Sequence, residues 1–248
     1  MRPIITALSA VAVSAGFGLT ALAGSASAST GSRDFTPDSS GYSATQAQFR
    51  YVQDTVYLRS PSKFAAVDDG VSWETHLFGT SSGGNVSADI NIGGNPKTDS
   101  SYHPWADVNG APLALQGDTG FAAGQSVTES IYYNKANGVV SVNVFDANGD
   151  SAFGQAHVGS VSFNNPRIYG GFDSGSSFAA PSSPMTLARF TGVKLTTYSG
   201  HRGTLASWYS HSKVLATSNG HQNGSVRAAP SALSHGGSSF SVVFAPAS

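Results

Sequence analysis

The sequence predicts an all-β fold, a two-sheet antiparallel β-sandwich of jelly-roll type. Three observations carry this expectation. Short segments with apolar residues at alternate positions recur from residue 41 onward. Clusters of Gly, Asn, Asp and Ser separate them. No stretch after the first 28 residues keeps apolar residues at helical spacing for three turns, and no fixed-period repeat suggests a propeller or solenoid.

The elements follow in chain order. Arg2, a mostly apolar run from Ile4 to Ala23 and the small-residue triplet Ala26-Ser27-Ala28 predict a cleaved export signal over 1–28, and so a secreted, extracellular protein. Residues 29–40 read as a flexible linker, with a single β-sandwich domain over 41–248. Gln48 to Val52 alternates, placing Phe49 and Tyr51 on one face; Thr55 to Leu58 continues the strand until Pro61. Val71 to Phe78 puts Trp73, Thr75 and Leu77 on one face and Glu74, His76 and Phe78 on the other. Ser87 to Ile92 sends Ala88, Ile90 and Ile92 one way and Ser87, Asp89 and Asn91 the other.

A Gly/Pro/Asn-rich segment then runs from Gly93 to Gly124, interrupted by an aromatic island at Tyr102 to Trp105. Ser126–Tyr133 and Val139–Phe145 form the clearest strand pair, because Asn137-Gly138 tolerates the positive φ of a tight primed turn. Asn148-Gly149 marks a second hairpin into Ser151–Val158. Phe190–Thr197, Trp208–Leu215 and Phe240–Phe244 complete the strands.

Composition limits function. Thirteen Lys and Arg stand against 14 Asp and Glu, charged residues make up 11% of the chain, and the net charge is -1. No basic stripe is available for nucleic acid, and no cationic cluster for a membrane once the signal is cleaved. A neutral polar surface suits peptide or polysaccharide partners and a monomeric chain. Cysteine is absent, so packing and strand pairing must hold the fold. No cofactor or metal is expected. His201, His211, His221 and His235 recur at suggestive spacings without coming together in sequence, and Asp146 to Asp150 lacks the downstream Glu of an EF-hand loop and reads as a hairpin turn. No G-x-S-x-G elbow is present. Asn85-Val86-Ser87 and Asn223-Gly224-Ser225 match the glycosylation acceptor pattern.

The order of several segments resembles the glutamic peptidase (eqolisin) family. These are Ser72-Trp73-Glu74-Thr75, Tyr102-His103-Pro104-Trp105 with Pro112 after it, Ala123 to Val127, Phe190 to Thr196, and the close of the chain at Val214-Leu215-Ala216 and Ser238 to Val243. The resemblance covers most of residues 41–247 and implies a concanavalin A-like sandwich with peptidase ancestry. Its catalytic Gln and Glu are not matched: Asn91 stands at the Gln position and Arg167 at the Glu position, and no Glu occurs after Glu129.

Asn91 keeps an amide donor able to polarise a carbonyl. Arg167 cannot serve as a base, because a guanidinium stays protonated. Three readings follow. A catalytically inactive protein binds peptide or polysaccharide in its groove. Alternatively, an acid endopeptidase uses a displaced carboxylate, Asp89 or Glu74, both on the Asn91 or Trp73 strands. The third reading is a carbohydrate-binding module, on fold analogy. Trp73, Tyr102 and Trp105 are candidates to line the substrate groove, with burial in the core as the alternative use of such rings.

Overall fold

Alternating side chains settle into strands where turn residues interrupt them. The computed structural model describes residues 33–60, 70–95, 99–117, 120–172, 185–208 and 211–244. The expected export signal and Pro61 lie outside these residues. In chain order the described strands are β1 (Arg33–Thr36), β2 (Ser39–Ala44), β3 (Phe49–Tyr57), β4 (Val71–Ser81), β5 (Gly84–Gly94), β6 (Ser101–Val108), β7 (Ala111–Leu113), β8 (Gln116–Gly117), β9 (Phe121–Ala122), β10 (Ser126–Asn134), β11 (Val139–Asp146), β12 (Ser151–His157), β13 (Ser162–Phe172), β14 (Met185–Thr197), β15 (Arg202–Gly203), β16 (His211–Thr217), β17 (Val226–Pro230) and β18 (Phe240–Phe244).

Backbone pairing runs as one antiparallel ribbon folded into two layers. The first layer has the order β7–β6–β5–β4–β13–β2–β16. β17 pairs with β16 and then with β18, carrying the ladder into the second layer, β18–β14–β3–β10–β11–β12. β1 joins β16 in parallel. This is the predicted all-β sandwich.

Trp73 and Leu77 of β4 and Ala88, Ile90 and Ile92 of β5 face inward and are fully buried. They belong to one core with Val52 and Val56 of β3 and Val127 and Ile131 of β10. Each large side chain in such a core contributes about 1.5–3 kcal/mol. The two expected hairpins form. β10 pairs β11 across a turn ending at Gly138 (φ 66°), and β11 pairs β12 across Gly149 (φ 99°). Asp146 Oδ1 accepts the N–H groups of Asn148 (2.8 Å) and Asp150 (3.1 Å), so this carboxylate closes the turn.

Four local expectations change. Phe49 and Tyr51 do not share a face: β14 pairs Thr196 with Tyr51 but Thr197 with Phe49, leaving Arg50 as an extra residue. That bulge sends Phe49 into the core with Val52 and leaves Tyr51 outside. The expected linker contains β1, because β16 offers it a parallel edge. The aromatic island lies within β6, paired to β5. Trp208 does not begin a strand. It caps a short 3₁₀ turn, Leu205–Ser207, and meets the Phe49 ring edge-on at 4.9 Å.

Candidate functional site

Strand alternation forces the polar residues of β5, β4 and β13 onto the outer face of the first layer. Directly paired residues share that face, and two rows result. One crosses Trp105, Asn91, Glu74 and Tyr169; the next crosses Asp107, Asp89, His76 and Arg167. Asn91 and Arg167 therefore stand on the same face, one row apart. Glu74 is the cross-strand partner of Asn91.

Glycines shape this surface. A methyl group at Gly171 would collide with Glu74 Oε1 and Ser72 Oγ, so the Glu74 carboxylate lies over a position that must lack a side chain. A methyl at Gly93 would come within 2.8 Å of the Trp105 ring, and one at Gly41 within 2.8 Å of the Tyr169 ring. The rings and the carboxylate lie down over the sheet in these three niches.

His76 joins the two candidate carboxylates. Its Nε2 is 3.0 Å from Glu74 Oε2 and its Nδ1 is 2.6 Å from Asp89 Oδ1. With both carboxylates ionised, the two contacts are satisfied when both ring nitrogens carry protons, which makes the ring an imidazolium. Burial opposes that charge, but the hydrogen bonds and charges of Asp89 and Glu74 outweigh it and push the His76 pKa up to about 9. Burial also disfavours ionised Glu74. His76, with Ser72 Oγ donating to Oε1 at 2.6 Å, nevertheless holds it below the usual carboxylate range. Glu74 is thus held as an anion more firmly than an ordinary glutamate.

Arg167 is turned along the sheet, its guanidinium 4.5 Å over the Phe78 ring. Beyond it opens a cleft of about 470 Å³, lined by Arg167, Phe78, Ser87, Asn109, Asn164 and Asn165. Of the three rings expected in a groove, Trp105 is on the outer face and 44% exposed. Trp73 and Tyr102 are not. Both are fully buried and meet edge-on at 4.8 Å, because their positions in β4 and β6 point between the layers.

The face behind β4 carries a second acidic group. Asp54 of β3 and Glu129 of β10 are direct cross-strand partners, both with 0% exposure, and Thr75 of β4 reaches them from the facing layer. The Thr75 hydroxyl donates to Asp54 Oδ2 and lies 3.3 Å from Glu129 Oε2. A hydroxyl has one proton, so both contacts are satisfied only when one of the two carboxyls carries a proton of its own. Burial, then the Asp54 charge, drives Glu129 well above the usual range against a partial opposing pull from Thr75. Burial lifts Asp54 to about 7, also against Thr75.

Sequence reading missed the roles of His76 and this buried pair. His76 was legible: the two-residue turn at Ser82-Gly83 sets the β4–β5 register, which places His76 opposite Asp89 and Glu74 opposite Asn91. Asp54 and Glu129 meet only through a long-range pairing that no local pattern specifies.

No protein-family model matches the chain, and no curated protein sequence does. Solved structures do. A scytalido-glutamic peptidase bound to a transition-state analogue inhibitor is similar over 85% of this chain and 100% of its own, with a TM-score of 0.62 at 14% identity. A second structure of that peptidase, with a peptide-based transition-state analogue, gives 0.54 at 13% identity and the same coverage. At such identity the likeness speaks for architecture, and the chain has the fold of the glutamic peptidases.

Proposed function

We propose that this chain is a peptide hydrolase of glutamic-peptidase fold in which Glu74 is the general base and Asn91 the carbonyl-polarising donor. One observation carries the reading: Glu74 stands directly across from Asn91 on the outer face of the first layer. Glu74 takes a proton from water as the oxygen bonds to the carbonyl carbon, and the Asn91 amide donates to the developing oxyanion. When the C–N bond breaks, Glu74 returns that proton to the departing amine. Asp89 acts as a positioning residue, fixing His76 as the cation that keeps Glu74 ionised. Trp105 gives an apolar wall beside Asn91, and Arg167 a fixed positive charge at the cleft. In this reading the protein is exported and works as a monomer, with no metal or cofactor in the step.

A silent peptide-binding groove is the second reading, favoured because Ser72 and His76 already engage both Glu74 oxygens. One assay separates the two. Purified protein is incubated with unfolded casein from pH 2 to 9. Hydrolysis is expected on a plateau between the low pKa of Glu74 and that of His76 at about 9. Glu74→Gln should lower the rate about 10²–10⁴-fold, and Asn91→Ala about 10²–10³-fold. No cleavage by the unmodified protein, or full activity in Glu74→Gln, refutes the proposal.

A further inference from the structure

The outer face of the second layer lies on the opposite side of the molecule from the site above and has a different chemistry. Its side chains fall into two adjacent rows. The first crosses Arg202, Thr196, Tyr51 and Tyr132; the second crosses Lys194, Gln53, Ser130, Asn143 and Phe153. A cavity of about 340 Å³ opens over the first row and the Lys194–Gln53 end of the second, with Phe153 further along the same face, and the bulge at Arg50 brings a third cation to its wall. No carboxylate lines it among the described residues. No ion pair or hydrogen bond engages Arg50, Lys194 or Arg202 among the described residues. In a chain of net charge -1, three uncompensated cations at one cavity are a local excess.

We propose that this face binds a uronate-bearing polysaccharide, with Arg50, Lys194 and Arg202 holding sugar carboxylates and Tyr132 and Phe153 supporting the rings. Tyr132 and Phe153 are each 40% exposed, which leaves aromatic surface open to the apolar face of a sugar. Gln53 Oε1 accepts the Tyr51 hydroxyl at 2.5 Å, so its NH₂ group is the part left to donate to a ligand oxygen. Arginine suits carboxylates because its planar fork can make paired N–H···O bonds. An extended peptide is disfavoured by position. β3 is central in its layer, with β10 and β14 on its two edges, and the one edge strand bordering the cavity among the described residues, β15, is only two residues long, too short a template for strand addition.

The test is retention of the full chain on immobilised polygalacturonate, with neutral dextran, poly-glutamate and single-stranded DNA as comparison polymers. Binding to polygalacturonate that weakens with added salt is expected, with little retention on the other three. Lys194→Ala/Arg202→Ala should bind about tenfold more weakly, as the loss of charge-assisted hydrogen bonds requires. Tyr132→Ala keeps every charge and should also weaken binding, whereas Glu74→Gln, on the other layer, should not. Unchanged binding in both variants overturns the proposal. So does equal retention on poly-glutamate or DNA, which would reduce the face to an undifferentiated cationic patch.

Discussion

The buried pair Asp54 and Glu129 should make this fold more stable in acid than at neutral pH, and replacing it should remove that dependence. The sign follows from proton counting. In the unfolded chain Asp54 ionises near 3.8, while in the fold it stays protonated up to about 7. Between those values the folded state binds the extra proton, so unfolding becomes easier as pH rises. At roughly 1.36 kcal/mol per pH unit, the interval corresponds to about 4 kcal/mol of stability, present below 3.8 and lost by pH 7. Glu129, held well above its usual range, extends the loss in the same direction. The assay is urea unfolding at half-unit steps from pH 3.5 to 7.5, comparing the unmodified chain with Asp54→Asn/Glu129→Gln. Both amides retain an oxygen for the Thr75 hydroxyl and neither titrates. The difference in stability between the two proteins should shift by at least about 4 kcal/mol across that range, the Asp54 share alone, in favour of the double variant at neutral pH. Parallel stability curves would refute the reasoning, because they would mean that no proton is retained on folding.

Two further predictions concern the outer face. His76 has its folded pKa raised from 6.5 to about 9, so its contribution is complete below pH 6.5 and lost as pH rises through 9. His76→Gln should therefore cost about 3 kcal/mol at pH 5.5, with the deficit shrinking by pH 9.5 when both proteins are melted in denaturant. Gly171→Ala should displace Glu74 and Ser72 from their niche. A loss of about 1–3 kcal/mol in thermal or denaturant unfolding is expected, together with a fall in any casein hydrolysis larger than that seen for Gly120→Ala, where an added methyl meets nothing nearer than 3.9 Å.

Much of the architecture was readable from local pattern. Alternation at Val71 to Phe78 and Ser87 to Ile92 assigned the faces of β4 and β5 correctly, since a half-buried strand admits only one orientation of its apolar set. The glycine turns at 138 and 149 fixed two hairpins for the same local reason. What failed was long-range. β1 is polar and partly exposed, and only the edge of β16 makes it a strand. The Phe49–Tyr51 error came from a bulge, which inverts facing without altering composition. Trp73 and Tyr102 look like binding residues in a list, but strand parity sends both inward. Resemblance singled out Asn91 and Arg167, and strand register puts them on one face, one row apart. The place of Arg167 beside His76 required the β4–β13 register, which joins segments about ninety residues apart.

The wiring of the N-terminal strands constrains how the polypeptide reaches its final form. Ser40 Oγ donates to the carbonyl of Val214, 174 residues away, and the rest of β2 is held between β13 and β16. β1 and β2 therefore wait for β16, made about 170 residues later, before their pairing is complete. High sequence separation of this kind slows the search for native pairing. β13 can flank β2 first, but the other side of β2 stays unpaired until β16 has been made about forty residues later, so an exposed strand edge persists through that interval.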